Sequence, residues 1–514
     1  MPSSRLKNNF LKCAVLIAFC GAAGALEAAD ANPQPASRIT SVSVAGSQPL
    51  GTFGSVPYTR TWGTVAGIVA PGESVHGLAA LPHDPDGNYK YQTEFEIIAP
   101  AKPGVNSVIV VEAENRGNPV FLNSLEGMAI GGPPSAANYD AGLGNGFLFN
   151  HATSYARVQW QTGISAGVPK QAEGVGEVII RDFARMLAGR TKFEANPRFD
   201  PGAYPKMIIG GISLSGFFIN TFIAEGFNAD PVDGKPVFDG AIAVDGTGNW
   251  IALNQLAAEN GTDEFAYVVP NARPLDAAAL LTRPHSDPFY IDIANYTDFY
   301  RLRASVTDRV PPSPRMRRYD WPSPHAAAPI DQSGASARAG RCNGGTLVDL
   351  NPISYSPYLR AVTFELERTI GVPSAASAPA LPDSILFKLG PAPESSANFN
   401  PLPGATLQVP LIDKDDQPVG GVRFPEVDHP VGKPTPVSLP PVVTSSIDAT
   451  CGNLGEWQQF SAAQLAERYG DQEKYLTLYA ASLDKLIAAG YLLDSDRAAM
   501  LKTAALLYNR HPSR

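Results

Sequence analysis

The segment Lys206-Met207-Ile208-Ile209-Gly210-Gly211-Ile212-Ser213-Leu214-Ser215-Gly216 is where the reading of this chain is decided. Met207 to Ile209 belong to a short apolar run of the kind buried on both faces of a parallel sheet. The residues that follow, Gly216 to Gly226 (GFFINTFIAEG), carry apolar side chains at helical spacing. A strand that turns into a helix at a serine presents the hydroxyl at the sheet edge and faces it to the positive end of the helix. Such a turn needs small residues two positions before and two after, and Gly211 and Ser215 supply them. Ser213 is therefore predicted to be a nucleophile, with the backbone N–H of Leu214 as one oxyanion donor. The plain alternative is a strand-to-helix turn kept small for packing.

A better letter match exists. Gly163-Ile164-Ser165-Ala166-Gly167 satisfies G-x-S-x-G in full, but Val168-Pro169 stops a helix within its first turn, so Ser165 has no elbow to sit on. Ser215 as nucleophile would put bulky Phe217 at a position that must be small.

A serine hydroxyl needs a base, an acid to orient that base, and oxyanion donors. Outward from the elbow, apolar runs recur at Asn106–Ala113, Ser154–Trp160, Val237–Val244, Phe289–Ala294 and Arg315–Trp321, with helical spacing at Gly174–Ala188. Their alternation predicts a mostly parallel central sheet with helices on both faces. The β-rich runs Thr61–Val69 and Tyr89–Ile98, after a polar linker from Asp30 to Arg38, read as antiparallel strands at its edge. His325 follows the last core strand and is the expected base; His429 lies in a Pro-rich insertion and His511 at the C-terminus. Asp298, on a loop after the run Phe289–Ala294, is the first choice for the acid, and Asp245, one strand earlier, is the rival. Asp292, inside the strand, reads as a structural partner at a sheet edge. A second oxyanion donor is expected from the turn Asn115-Arg116-Gly117-Asn118, where Gly117 allows backbone to approach a substrate; the Gln161 side chain is the other possibility. No metal-ligand spacing and no dinucleotide-binding glycine pattern is present, so the expected chemistry needs no cofactor.

Of the 514 residues, 17% are charged and 44% hydrophobic, and the net charge of -9 makes nucleic acid an unlikely partner. At the N-terminus, Arg5, Lys7 and Lys12 precede an apolar stretch, Cys13 to Leu26, too short to span a membrane: residues 1–29 are predicted to be a signal peptide, removed on export to the periplasm or beyond, with no stable membrane insertion afterwards. The mature chain then retains Cys342 and Cys451, an even pair predicted to form one disulfide. Residues 30–514 are read as a single large domain with a cap insertion at 249–287 and an irregular insertion at 326–446. Within the latter, one helix is expected over Tyr355–Thr369, and the chain closes with amphipathic helices over Ser461–Leu493 and Ser495–Tyr508.

These residues resemble the large bacterial α/β-hydrolase-domain proteins whose elbow reads G-x-S-x-S-G. The resemblance runs through Asn115–Asn118, Gly144-Asn145-Gly146-Phe147-Leu148-Phe149, Trp160-Gln161, the elbow with Glu225-Gly226-Phe227-Asn228, Val237-Phe238-Asp239-Gly240, Asn351-Pro352 and Gly490-Tyr491-Leu492-Leu493. It implies the α/β-hydrolase fold, a carboxylic ester hydrolase activity, Ser213 as nucleophile and His325 as base. Two departures stand out: Asp298-Phe299-Tyr300 where the family shows Glu before an aromatic pair, and Pro322-Ser323-Pro324-His325 where it shows Gly-x-x-His. The expected substrate is a small-molecule or polymeric ester or a lactone. A transacylase, or a binding protein that kept the fold, are the other readings.

Overall fold

The computed structural model describes residues 36–102, 107–128, 132, 134–194, 199–254, 256, 258, 275–302, 304–307, 313–325, 339–342, 346–392, 408–436 and 453–510. The segment 1–29 and Cys451 lie outside these residues. Only the strand position of Cys342 is described, so the expected signal peptide and disulfide stand as read from the sequence.

A nine-stranded sheet organises residues 36–325 in the order β1-β2-β3-β5-β4-β6-β7-β8-β9. Its strands are β1 (Arg38–Phe53), β2 (Val56–Val69), β3 (Tyr89–Pro100), β4 (Val108–Glu112), β5 (Ser154–Val158), β6 (Lys206–Ile212), β7 (Gly240–Val244), β8 (Phe289–Asn295) and β9 (Met316–Trp321). β1, β2, β3 and β5 pair antiparallel, and every pairing from β5 through β4 to β9 is parallel. β4, β6 and β7 are almost wholly apolar and buried along their length, as strands covered on both faces must be.

β1 does not show in the sequence as a strand. Register shifts between Ile39 and Ser41, Val44 and Gly46, and Pro49 and Gly51 break its alternation into short pieces, and it begins at Arg38, where the expected linker ends. Asp292 also differs from expectation: β8 is an interior strand, between β7 and β9, and not an edge.

Helices cover both faces. Val175–Leu187 and the elbow helix Leu214–Ala224 share one apolar core with the odd-facing residues of β4, β6 and β7. Val120–Glu126 and Ser356–Thr369 close the other face, beneath the C-terminal helices Gln472–Ala488 and Arg497–Tyr508. The helix expected at Tyr355–Thr369 is thus part of the main core, with Tyr358, Leu359, Val362 and Leu366 buried against the sheet. Extended pieces around it pair into two-stranded sheets, Ala339–Cys342 with Thr346–Asp349, Leu389–Pro391 with Gln408–Pro410, and Gly432–Thr435 with Glu456–Gln459. Of the region expected to be a cap, the described start, Trp250 to Leu253, is buried in the core beside the elbow helix. Arg360 clamps the second face: its guanidinium donates to Asp496 at 2.5 and 3.0 Å and to the Leu125 carbonyl at 2.7 Å.

Candidate active site

Ser213 stands at the end of β6, as N-cap of Leu214–Ala224, with φ 62° and ψ -121°. That left-handed conformation is costly for a residue with a Cβ and persists only where surrounding packing imposes it. The packing is visible: a Cβ on Gly211 would lie 2.8 Å from Ser215 Cβ, and one on Gly216 would lie 2.8 Å from the Val244 carbonyl. The Ser213 N–H donates to that same carbonyl at 2.9 Å, which fixes the turn to β7. Ser213 is partly exposed at the tip, whereas Ser215 is buried on the helix side, as its tight position requires. Ser165 is buried too, in a turn, with its hydroxyl engaged by Thr93 at 2.7 Å and by the Gly167 N–H at 3.2 Å. No helix starts at it; the next helical turn is a 3-10 turn at Lys170–Ala172.

The loops after β7, β8 and β9 converge on one imidazole. His325 Nδ1 lies 3.0 Å from Asp298 Oδ1 and 3.2 Å from Asp245 Oδ2. Both aspartates are buried, and their second oxygens are held by a single residue. The Asn295 backbone N–H donates to Asp298 Oδ2 at 2.8 Å, and its side-chain amide donates to Asp245 Oδ1 at 2.7 Å. Ser323 Oγ in turn donates to Asn295 Oδ1 at 2.6 Å, and the His325 N–H donates to Thr297 Oγ1 at 2.7 Å. Asp245 reaches the ring because its backbone is left-handed, φ 58°, and its N–H is tied to the Ile293 carbonyl at 2.8 Å. Asp298 opens a short helix, Asp298–Arg301, in place of the expected loop. Sequence order ranked the two acids; the structure brings both to the same nitrogen. Asn295, Thr297 and Ser323 were not anticipated, since nothing local marks a residue whose role is to hold another side chain.

The other candidates separate cleanly. His429 caps the helix Pro425–Asp428 away from this cluster, and its burial lowers its pKa; His511 lies outside the described residues. Asp292 pairs with Arg318 at 3.4 Å and accepts from the Thr247 N–H, a structural role.

On the oxyanion side, Asn115 Nδ2 donates to the Ile212 carbonyl at 3.0 Å and so binds the β4 loop to the elbow. Gly117 adopts φ 81°, and Arg116 beside it is also left-handed at φ 51°. Gln161 is joined to this loop through its Oε1, which accepts the Arg116 N–H at 3.2 Å, a bond that leaves the Nε2 donor unengaged among the described residues. The loop is footed by Glu112, which accepts from the N–H groups of Phe121 and Leu122 and from the Tyr155 hydroxyl, and which burial pushes up to about 8.

Asp245, Asp298 and His325 each offer a ligand atom within 4.8 Å of the others, a spacing a divalent cation could also use. With the remaining carboxylate oxygens already taken by Asn295, the set presents two acceptors to one ring nitrogen. That is the arrangement that stabilises an imidazolium.

A mostly parallel sheet, a serine on a strained strand-to-helix turn and an acid-histidine cluster on the following loops define the α/β-hydrolase fold. The chain belongs to the alpha/beta hydrolase domain family, whose model matches residues 149–502. No curated protein matches it. Similar solved structures include a glucuronoyl esterase from Teredinibacter turnerae, at 15% identity and TM-score 0.28, covering 52% of this chain and 62% of that one. The rice cell wall degrading esterase LipA from Xanthomonas oryzae aligns at 8% identity and TM-score 0.26, over 54% of this chain and 90% of that one. Prolyl oligopeptidase B from Galerina marginata aligns at 11% identity and TM-score 0.25, over 50% of this chain and 36% of that one. The chain thus spans less than two thirds of the glucuronoyl esterase and little over a third of the oligopeptidase.

Proposed function

We propose that the protein is an exported serine hydrolase that cleaves carboxylic esters or lactones through an acyl-enzyme on Ser213. The observation that carries the reading is the strained Ser213 at the mouth of an eleven-residue helix, on the same sheet edge as a buried histidine faced by two aspartates. In this mechanism His325 takes the Ser213 proton as the hydroxyl attacks the carbonyl, then returns it to the departing alcohol. Water repeats the cycle on the acyl-enzyme. Asp298 and Asp245 hold the ring with its proton on Nδ1 and stabilise the imidazolium. The N–H groups of Leu214 and Gly117 receive the oxyanion. Export rests on the N-terminal basic and apolar stretch, and with it the Cys342–Cys451 disulfide.

A fluorophosphonate probe tests the nucleophile. Labelling of the wild type and hydrolysis of p-nitrophenyl acetate, both lost in Ser213→Ala and both unaffected by chelator, are the expected results. Labelling that survives in Ser213→Ala overturns the assignment. Activity abolished by chelator and restored by a divalent cation replaces the hydrogen-bonded reading of the Asp245-Asp298-His325 cluster with a metal one.

A further inference from the structure

The strands β2, β3, β5 and β4 lie side by side in the sheet, and the β3–β5 pairing passes over β4 in the chain. Their registers set Trp62 opposite Glu96 and Glu96 opposite Arg157. One Glu96 oxygen takes both guanidiniums, Arg60 at 2.9 Å and Arg157 at 3.3 Å, while Arg157 also donates to Glu114 at 2.6 Å. These bonds leave Glu96 Oε1, Glu114 Oε1, Arg60 Nε and Arg157 Nε without a partner among the described residues. Glu96 and Glu114 are nevertheless almost fully buried, and an orphaned buried polar atom is costly. A cavity of about 220 Å³ opens against this group, lined by Arg60, Trp62, Glu96, Glu114, Arg157 and Gln159.

The volume holds roughly seven waters at about 30 Å³ each, the bulk of one sugar ring. The charges of the lining are already paired with one another, Arg60 and Arg157 with Glu96 and Arg157 with Glu114, so neither an anion nor a cation finds an unpaired counter-charge among these groups, and Glu94 accepts from the Gln159 amide at 3.2 Å. A hydroxyl group donates and accepts at once, so it suits a lining that mixes carboxylates, guanidiniums and an amide, and Trp62, with the Arg60 guanidinium 5.0 Å over its ring, adds apolar surface. The wall is shared with the catalytic loop, because Arg157 Nη1 donates to the Gly117 carbonyl at 3.0 Å and Glu114 immediately precedes Asn115.

We propose that this cavity binds one neutral sugar ring, and that it serves as a subsite for carbohydrate esters whose carbonyl is attacked at Ser213. As a binding site it stands on the cavity alone; as a substrate subsite it rests on the hydrolase reading above. The test uses Ser213→Ala, which cannot turn over, titrated calorimetrically with methyl β-xyloside, glucuronate and choline as neutral, anionic and cationic probes. The neutral glycoside should bind in the millimolar range. Gln159→Ala and Trp62→Ala should each weaken it about tenfold while keeping the parent melting temperature. In the Ser213 enzyme the same two changes should lower kcat/KM about tenfold for an acetylated methyl glycoside and leave p-nitrophenyl acetate unchanged. Absence of glycoside binding by folded protein, tighter binding of glucuronate or choline, or equal loss on both esters overturns the proposal. Glycoside binding without fluorophosphonate labelling of Ser213 would retain the site and discard the hydrolase; labelling without glycoside binding would do the reverse.

Discussion

Asp245 Oδ2 lies 3.2 Å from His325 Nδ1, barely farther than Asp298 Oδ1 at 3.0 Å. On the proposed mechanism, two acids delivered by successive strands can therefore each fix the tautomer of the proposed base. Asp298→Asn and Asp245→Asn are expected to lower kcat modestly, about tenfold to a hundredfold each, because the remaining carboxylate still accepts the Nδ1 proton. The double variant should fall by about 10⁴, the loss seen when a triad's sole acid is neutralised. Steady-state kinetics on p-nitrophenyl acetate decide it, and a single variant as inactive as the double would show that one aspartate alone acts.

The amide of Asn115 ties the β4 loop to the elbow through the Ile212 carbonyl. Asn115→Ala should let Gly117 drift from the oxyanion position and reduce kcat roughly ten- to a hundredfold with little change in KM. A rise in KM at constant kcat would place the contact in substrate binding.

Arg360 joins the helix Ser356–Thr369 to Asp496 and to the end of the helix Val120–Glu126. Removing one partner strands a buried charge, so Asp496→Ala should cost about 3–5 kcal/mol in denaturant unfolding. The pair Arg360→Met, Asp496→Leu should recover most of that loss.

Glu177 is fully buried near the start of the helix Val175–Leu187, and burial raises its pKa from 4.5 to about 8. Between those values the native state holds a proton that the unfolded chain has released, so this group makes stability fall as pH rises through that window and has no further effect above it. Glu177→Gln should leave stability at pH 4.5 almost unchanged and increase it by about 4 kcal/mol at pH 8. Parallel melting curves at the two pH values check the sign; a variant destabilised equally at both would mean the carboxylate has an interaction that the amide cannot replace.

Much of the fold was legible because parallel strands buried on both faces must be continuous apolar runs, and each such run from Asn106 to Trp321 became a strand. β1 was not, since its bulges destroy the alternation that marks a half-buried strand. The elbow was legible in its flanks more than in its letters: Ser165 satisfies the fuller pattern, yet Pro169 denies it a helix, while Gly211 and Ser215 pack against each other around Ser213. Chain order could find both aspartates but not their shared target, because that depends on the left-handed backbone of Asp245. The cluster of Arg60, Glu96 and Arg157 was invisible for a different reason. It is completed only by the pairing of β3 with β5, strands that meet in the sheet but are not consecutive in the chain.

Asn295, Thr297 and Ser323 bind the loops after β8 and β9 to each other by backbone and side chain, with the Tyr296 N–H held by the Ser323 carbonyl at 2.9 Å. Asp298 and His325, the proposed acid and base, therefore ride on one stiff mount. Changes of substrate preference, in evolution or in the laboratory, have little freedom on that side without loosening the proton-transfer machinery. They are expected to accumulate at Arg116 and at Ile164, which packs beside Gly117, where side chains are exposed and substitutions leave the mount intact.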